Sequence, residues 1–336
     1  MTQIVRPDGR WFHWIVGGAT LLLLGVAART VDWARAWDAI AHADAVLIGA
    51  AVAANLGSIV VKAFRWSLFL HAAGVRGVRL AVHATFAGAA LNNLLVANGG
   101  DAARVVAVAR RADVSSASVL ATLAVDRLCD LATYIVLFVG AAFVIPLPSE
   151  LARWRLPGAV TLTGLVLAAY GFAWWSTRHP NASADATSGS PTLLARARAY
   201  GRRLVRTSAA IATRERMLAA LALALLAWGG QWTTFHVAAH AASLPATPAV
   251  SLLALLTVNA SFLVRLTPGN VGIFQFLYVL AATSAGLDRD QAVAVAFLIS
   301  VIQYIPVMLI GLLLAPSLVK PAGATISGQE PRHTGA

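Results

Sequence analysis

The sequence predicts an all-α, polytopic membrane protein of about six full spans plus two re-entrant helical hairpins, arranged as an inverted repeat. Three observations carry that expectation. The chain of 336 residues is 59% hydrophobic and 12% charged, with mean hydropathy +0.73, where a soluble domain carries about a quarter charged residues. Two long apolar runs are each interrupted at their centre by a short polar break containing glycine. These are Asn98-Gly99-Gly100-Asp101 within 80–114 and Thr267-Pro268-Gly269-Asn270-Val271-Gly272 within 249–285. The basic residues gather in a few connections, as membrane topology requires.

Taken in order, the expected full spans are 12–29, 44–64, 117–145, 157–175, 217–242 and 291–315. Each holds about 17 or more mostly apolar residues, enough to cross about 30 Å of hydrocarbon. The first follows Arg6 and Arg10, and its end at Ala27-Ala28-Arg29 is a poor cleavage site, so it reads as an uncleaved anchor. Trp11, Trp14, Trp33, Trp37, Trp154, Trp174 and Trp175 fall near span ends, where an aromatic belt sits.

Loop charge sets the topology. The arginine-rich segment 176–216 belongs in the cytoplasm, and so do Arg110, Arg111 and the connection 62–79 with Lys62, Arg65, Arg76 and Arg79. An ordinary span over 80–98 would put two of these clusters on opposite sides. A re-entrant hairpin over 80–113, with its tip at 98–101, keeps them together. The same treatment of 249–285 places the second hairpin on the outer side and both termini inside; eight plain spans are the competing arrangement. The expected organisation is a first membrane half over 1–175, a basic cytoplasmic linker over 176–216, a second half over 217–320 and a disordered cytoplasmic tail over 321–336. Each half then reads span, span, hairpin, span.

The breaks define the expected site. Glycine favours leaving a helix, and Pro268 removes a donor and clashes with the preceding turn. Non-helical backbone at membrane depth persists only beside protein or a water-filled cavity, and a matched pair of breaks in two halves points to a transport site. Half-helices starting at Asp101 and Val271 would aim free N–H groups and a positive dipole end into such a cavity. Charges at bilayer depth cost about 2.5–3.5 kcal/mol each on insertion scales, yet Asp101, Arg104, Asp126, Arg127, Asp130 and Arg265 all fall there. Asp126 and Asp130 share a helix face and Arg127 meets Asp130 at three-residue spacing. These charges read either as ion pairs that lock helices, for example Asp126 with Arg104, or as a site for an anion such as a phosphate headgroup. The expected substrate-binding set is Asn98, Gly99, Gly100, Asp101, Arg104, Asp126, Arg127, Asp130, Arg265, Pro268, Gly269, Asn270, Gly272 and Gln275.

Other features point to packing. His236 and His240 share a face with Gln231 and Thr233 and read as a polar helix face more readily than as a metal pair. Asn55, Asn92, Asn93, Asn259, Gln275 and Gln303 read as interhelical hydrogen-bonding groups or cavity lining, and Ser115, Ser116 and Ser118 as caps of the following helix. One cysteine, Cys129, excludes an internal disulfide and a cysteine zinc site. No nucleophile elbow, P-loop, dinucleotide fingerprint or zinc-protease motif is present. No cofactor, metal or catalytic residue is expected. The net charge of +12 is spent on topology, so nucleic acid is not an expected partner.

Three stretches taken together, Asn98-Gly-Gly-Asp-Ala-Ala-Arg104, Asp126-Arg-Leu-Cys-Asp130 and Thr267-Pro-Gly-Asn-Val-Gly-Ile-Phe-Gln275, resemble the family of the lysylphosphatidylglycerol synthase transmembrane region, a lipid-flippase domain. Arg65-Trp66 also fits, and the resemblance spans about residues 10–320. The family pattern has Glu where Asp126 stands, Gly where Asn270 stands and Glu where Gln275 stands. The resemblance implies a stand-alone member without the aminoacyl-transferase domain, in the cell inner membrane, moving or delivering a lipid near glycolipid or hopanoid pathways. The expected function is a transporter or flippase for a phosphate-bearing or isoprenoid-type lipid. The alternatives are a membrane enzyme using Asp126 or Asp130 as general base, or a non-catalytic partner that recruits a lipid-biosynthetic enzyme through 176–216.

Overall fold

The computed structural model describes residues 41–94, 99–144, 213–260 and 272–319, together with scattered positions that include Asn270, Ile211 and parts of 153–171. The described residues are helical, with no strand among them. Four helices are long and apolar enough to cross a membrane: α1 (Ala45–Ala72), α4 (Ser116–Val144), α5 (Arg214–Ala241) and α8 (Arg289–Leu314). Between them lie shorter helices in pairs, α2 (Val78–Leu94) with α3 (Gly99–Ala112), and α6 (Pro248–Ala260) with α7 (Ile273–Ser284). A short α9 (Pro316–Val319) follows α8. The expected spans 12–29 and 157–175, the segment 176–210 and the tail 321–336 lie wholly or largely outside the described residues.

Local chemistry explains where these helices start. Asp44 caps α1, its Oδ1 accepting from Val46 and Leu47 N–H at 2.8 and 3.1 Å. Asp288 caps α8 through Gln291 N–H at 2.9 Å. Ser115 does the same for α4 through Ser118 N–H at 3.1 Å, one of the caps expected from sequence. Asp113 and Ser243, both with positive φ, turn the chain between α3 and α4 and between α5 and α6.

At about 1.5 Å per residue, α7 reaches only about 18 Å, short of about 30 Å of hydrocarbon. The partners of each pair pack on one another, α2 with α3 and α6 with α7. Contacts between the halves correspond. α1 packs on α5, α2 packs on α8, and the equivalent α6 packs on α4, where Tyr134 Oη donates to Leu256 O at 3.1 Å. The largest core cluster sits where α1, α4, α5, α6, α7 and α8 meet, around Phe235, Leu255, Phe274, Tyr278 and Ile299. Val136 and Phe138 on α4, Leu225 and Leu226 on α5, and Leu309 and Leu313 on α8 leave an apolar outer surface.

Three expectations are corrected. The span expected over 44–64 continues to Ala72, and Lys62 and Arg65 lie inside it rather than in a cytoplasmic connection. Burial explains the difference: Arg65 is 0% exposed and meets carboxylates of α4 there, so its charge needs no water. The tip residues Gly99, Gly100 and Asp101 are the first turn of α3, so the backbone is helical by Gly99. The second half-helix begins at Ile273, after the expected Val271.

Candidate functional site

Asp126 and Asp130 stand one turn apart on α4, and Arg65 of α1 lies across both. Its Nε donates to Asp126 Oδ1 at 2.7 Å and its Nη1 to Asp130 Oδ1 at 2.7 Å. A second centre forms on Asp101 at the start of α3. Asp101 Oδ2 accepts from Arg127 Nη2 at 2.6 Å, and Oδ1 accepts from Asn92 Nδ2 at 3.1 Å. Arg104 Nε stands 3.2 Å from the same Oδ1, an ion pair whose angle does not make a hydrogen bond. Arg127 bridges the two centres, with Nη1 at 3.9 Å from Asp130 Oδ2.

The hairpin is held close by small residues and one amide. Asn92 Oδ1 accepts from Gly100 N–H at 2.9 Å and Asp101 N–H at 3.3 Å. A Cβ on Gly100 would collide with the Gly88 carbonyl oxygen, and one on Gly88 would press the Arg104 side chain at 2.9 Å. Arg104 packs over the Trp66 ring at 4.7 Å, and Trp66 Nε1 donates to Thr122 Oγ1 at 3.0 Å. The N–H groups of Gly100 and Asp101, expected to be free for a ligand, are therefore taken by a side chain.

These walls enclose a cavity of about 180 Å³. Lys62, Arg65, Arg104 and Arg127 line it against three carboxylates, Asp101, Asp126 and Asp130. Each carboxylate is held by arginine, whereas Lys62 makes no ion pair among the described residues. Arg65 and Arg104 are buried, while the Arg127 side chain is 48% exposed and stands at the mouth.

The second break is assembled differently. Gly272, at φ 88°, donates its N–H to Gln275 Oε1 at 2.7 Å, and Gln275 Nε2 donates to Ser300 Oγ of α8 at 3.0 Å. Asn270 is buried with φ 55°. Asn270, Gly272 and Gln275 are not among the described residues that line the cavity. Asn98, Arg265, Pro268 and Gly269 lie outside the described residues. The expected pair of Asp126 with Arg104 is replaced by Asp126 with Arg65 and Arg104 with Asp101.

Lys62 and Arg65 were absent from the expected set although a signal was present. Asn55, Ser58, Lys62 and Arg65 recur at spacings of three, four and three within apolar sequence, one face of a continuing helix. On that face Gln231 Nε2 donates to Asn55 Oδ1 at 3.0 Å, Gln303 Nε2 to Gln231 Oε1 at 2.8 Å, and Asn55 Nδ2 to Ile302 O at 3.2 Å. A neutral amide cluster thus joins α1, α5 and α8 one to two turns from the charged cavity. His236 bonds Ser251 Oγ at 3.1 Å and meets the His240 ring edge-on, and among the described residues no group of three or more metal-ligating side chains forms.

Residues 14–311 match the sequence model of the lysylphosphatidylglycerol synthase TM region. The chain belongs to that family. The match covers both hairpins, all four long described helices except the last residues of α8, and every residue of the cavity. No curated protein matches the chain. Family membership agrees with an integral membrane protein that carries the lipid-associated membrane region of the namesake synthase.

Proposed function

We propose that this protein is an inner-membrane lipid transporter that seats a phosphate-bearing headgroup in the cavity between α1, α4 and the α2–α3 hairpin while the tails stay in the bilayer. The cavity carries the proposal, because among the described residues four cations there face three carboxylates at a depth where charge is costly. Lys62 and the half-exposed Arg127 contact the headgroup. Arg65 and Arg104, already committed to aspartates, hold the wall in shape. A phosphate at the mouth competes with Asp101 for Arg127, which loosens the tie between the hairpin and α4.

In this reading both hairpins are re-entrant, both termini are cytoplasmic and the halves form an inverted repeat. The short length of α7 and the corresponding contacts of the two sets of helices support it. The enzyme alternative loses ground on one observation: Arg65 engages both Asp126 and Asp130, so neither carboxylate is placed as a free general base. The partner alternative, recruitment of a lipid-pathway enzyme, rests on segment 176–216 alone.

Reconstitution into liposomes with fluorescent-headgroup lipids tests the proposal. Dithionite quenching should reach the inner-leaflet label in proteoliposomes and not in empty vesicles. Chemical conversion of the lipid would favour an enzyme, and neither change would favour the partner reading.

A further inference from the structure

We infer that α8 is jointed at Pro306 and that Asn55 of α1 is the latch that holds the joint in its present conformation. This concerns residues outside the charged cavity and does not depend on what that cavity carries.

Pro306 lies inside α8, which stays helical from Arg289 to Leu314. Proline has no N–H, so the carbonyl of Ile302, four residues earlier, lacks its ladder donor, and the ring crowds that carbonyl as well. A carbonyl without a donor is costly at bilayer depth, where no water replaces it. The missing donor comes from another helix: Asn55 Nδ2 donates to Ile302 O at 3.2 Å. Asn55 is buried, and its own oxygen accepts from Gln231 Nε2 at 3.0 Å. Gln231 Nε2 also reaches Ser58 Oγ, and Gln303, next to Ile302, donates to Gln231 Oε1 at 2.8 Å. α1 and α5 form a close support for these groups, because a Cβ on Gly230 would press Ser58 Cβ at 3.1 Å and Ala54 O at 3.2 Å. The amide cluster is thus aimed at the carbonyl that Pro306 orphans.

The two segments of α8 dock on different partners. Before the proline, Ser300 Oγ accepts from Gln275 of α7 at 3.0 Å, and Ile299 and Ile302 share a core with α6 and α7. After it, Gly311 lies so close to α2 that an added Cβ would stand 2.5 Å from Phe86 O and from the Ala90 Cβ. α9 continues that contact, with Ser317 Oγ and His83 Nδ1 2.7 Å apart and Leu318 packed on the core shared by α2 and α3. The later segment therefore belongs with the α2–α3 pair, which carries Asp101 and Arg104, and the earlier one with the α6–α7 pair. Pro306 is where these two bodies join. Helices bend at proline because a ladder bond is missing, and neutral interhelical hydrogen bonds in membranes are individually weak. Opening the Asn55 bond frees a bend at Pro306 that shifts one helix pair against the other.

Two measurements on the full chain in detergent test this. The first is a thermal-melting cycle of Asn55→Leu and Pro306→Ala. Alanine restores the N–H that bonds Ile302 O within α8. Asn55→Leu should then lower the Tm of the Pro306→Ala protein about half as far as that of wild type, since only the Gln231 bond is left to lose. Equal drops in both backgrounds overturn the latch. If Asn55→Leu alone does not fold, recovery of a folded protein on adding Pro306→Ala supports it, and failure to recover overturns it. The second measurement reads the joint itself. Nitroxide labels go on Arg79→Cys of α2 and Ser284→Cys of α7, both exposed positions, in a Cys129→Ala background, with distances from pulsed electron paramagnetic resonance. Asn55→Leu should broaden or shift the distance distribution, and Pro306→Ala should hold it narrow with or without Asn55. A distribution that Asn55→Leu leaves unchanged overturns the joint even where the melting cycle is coupled, and makes Asn55 a static partner of the orphaned carbonyl.

Discussion

At the first break, Asn92 takes the N–H groups of Gly100 and Asp101, and the Asp101 carboxylate then faces two arginines. At the second, Gln275 takes the Gly272 N–H and passes its own amide to Ser300. Both breaks satisfy their backbone with a side-chain amide oxygen. They differ in what lies beyond it: a charged cavity in one half, a neutral hydrogen bond to α8 in the other. A glutamate at 275 could accept from Gly272 but, when ionised, could not donate to Ser300. The glutamine therefore makes the described side of the second break, from Gly272 onward, a neutral joint. The helix order and contacts correspond between the two sets of helices, and among the described residues the buried ion pairs gather at the first break.

The sharpest way to break this comparison is to remove Arg65. Arg65→Ala leaves Asp126 and Asp130 without their partner and should cost about 3–5 kcal/mol, read as a large drop in thermal stability in detergent. The triple replacement Arg65→Met, Asp126→Leu, Asp130→Leu should recover most of that stability and still lose lipid translocation. Recovery of both would make the charges dispensable locks.

A smaller effect is expected from Gly100→Ala. The new methyl meets the Gly88 carbonyl, which is backbone and cannot swing away, so about 1–3 kcal/mol of overpacking cost is expected. Gly286→Ala makes a poor control because of its φ of 80°; Gly49→Ala, in open helix, is the better one and should be near neutral. Equal losses at positions 49 and 100 would refute the tight hairpin.

The neutral side should respond less. Gln231→Leu removes the centre of the amide cluster joining α1, α5 and α8, and interhelical hydrogen bonds in membranes average about 0.6 kcal/mol, with a maximum of about 1.7. A loss as large as that of Arg65→Ala would erase the distinction between the two regions. Smallest of all, Ser300→Ala removes the acceptor of one neutral bond from Gln275 Nε2 and should cost about 1 kcal/mol or less by thermal melting.

The sequence made some of this legible through particular residues. Asp126 and Asp130 announced a shared helix face by their spacing, and the Gly99-Gly100 break announced a reversal between two helices. The partner of that carboxylate pair was not legible, because Arg65 lies far away in sequence and looked like a positive-inside loop residue. Charge near a span end is ambiguous between water and a buried partner. Only the three–four–three spacing of Asn55, Ser58, Lys62 and Arg65 argued for the second.

What the chain determined by itself was the kind of its described elements, apolar helices, and to within a few residues where they begin. Apolar length, caps such as Asp44, Ser115 and Asp288, and glycine breaks act within a few residues, and short-range forces can be read from short-range sequence. What only the tertiary structure decided was pairing: which arginine answers which aspartate, that the first-turn N–H groups of α3 are spent on Asn92, and that Lys62 alone among the cavity's cations makes no ion pair with the described residues. Those outcomes depend on distances of a few ångströms between helices remote in sequence. In a medium of low dielectric, such distances separate a neutralised charge from one still available to a ligand.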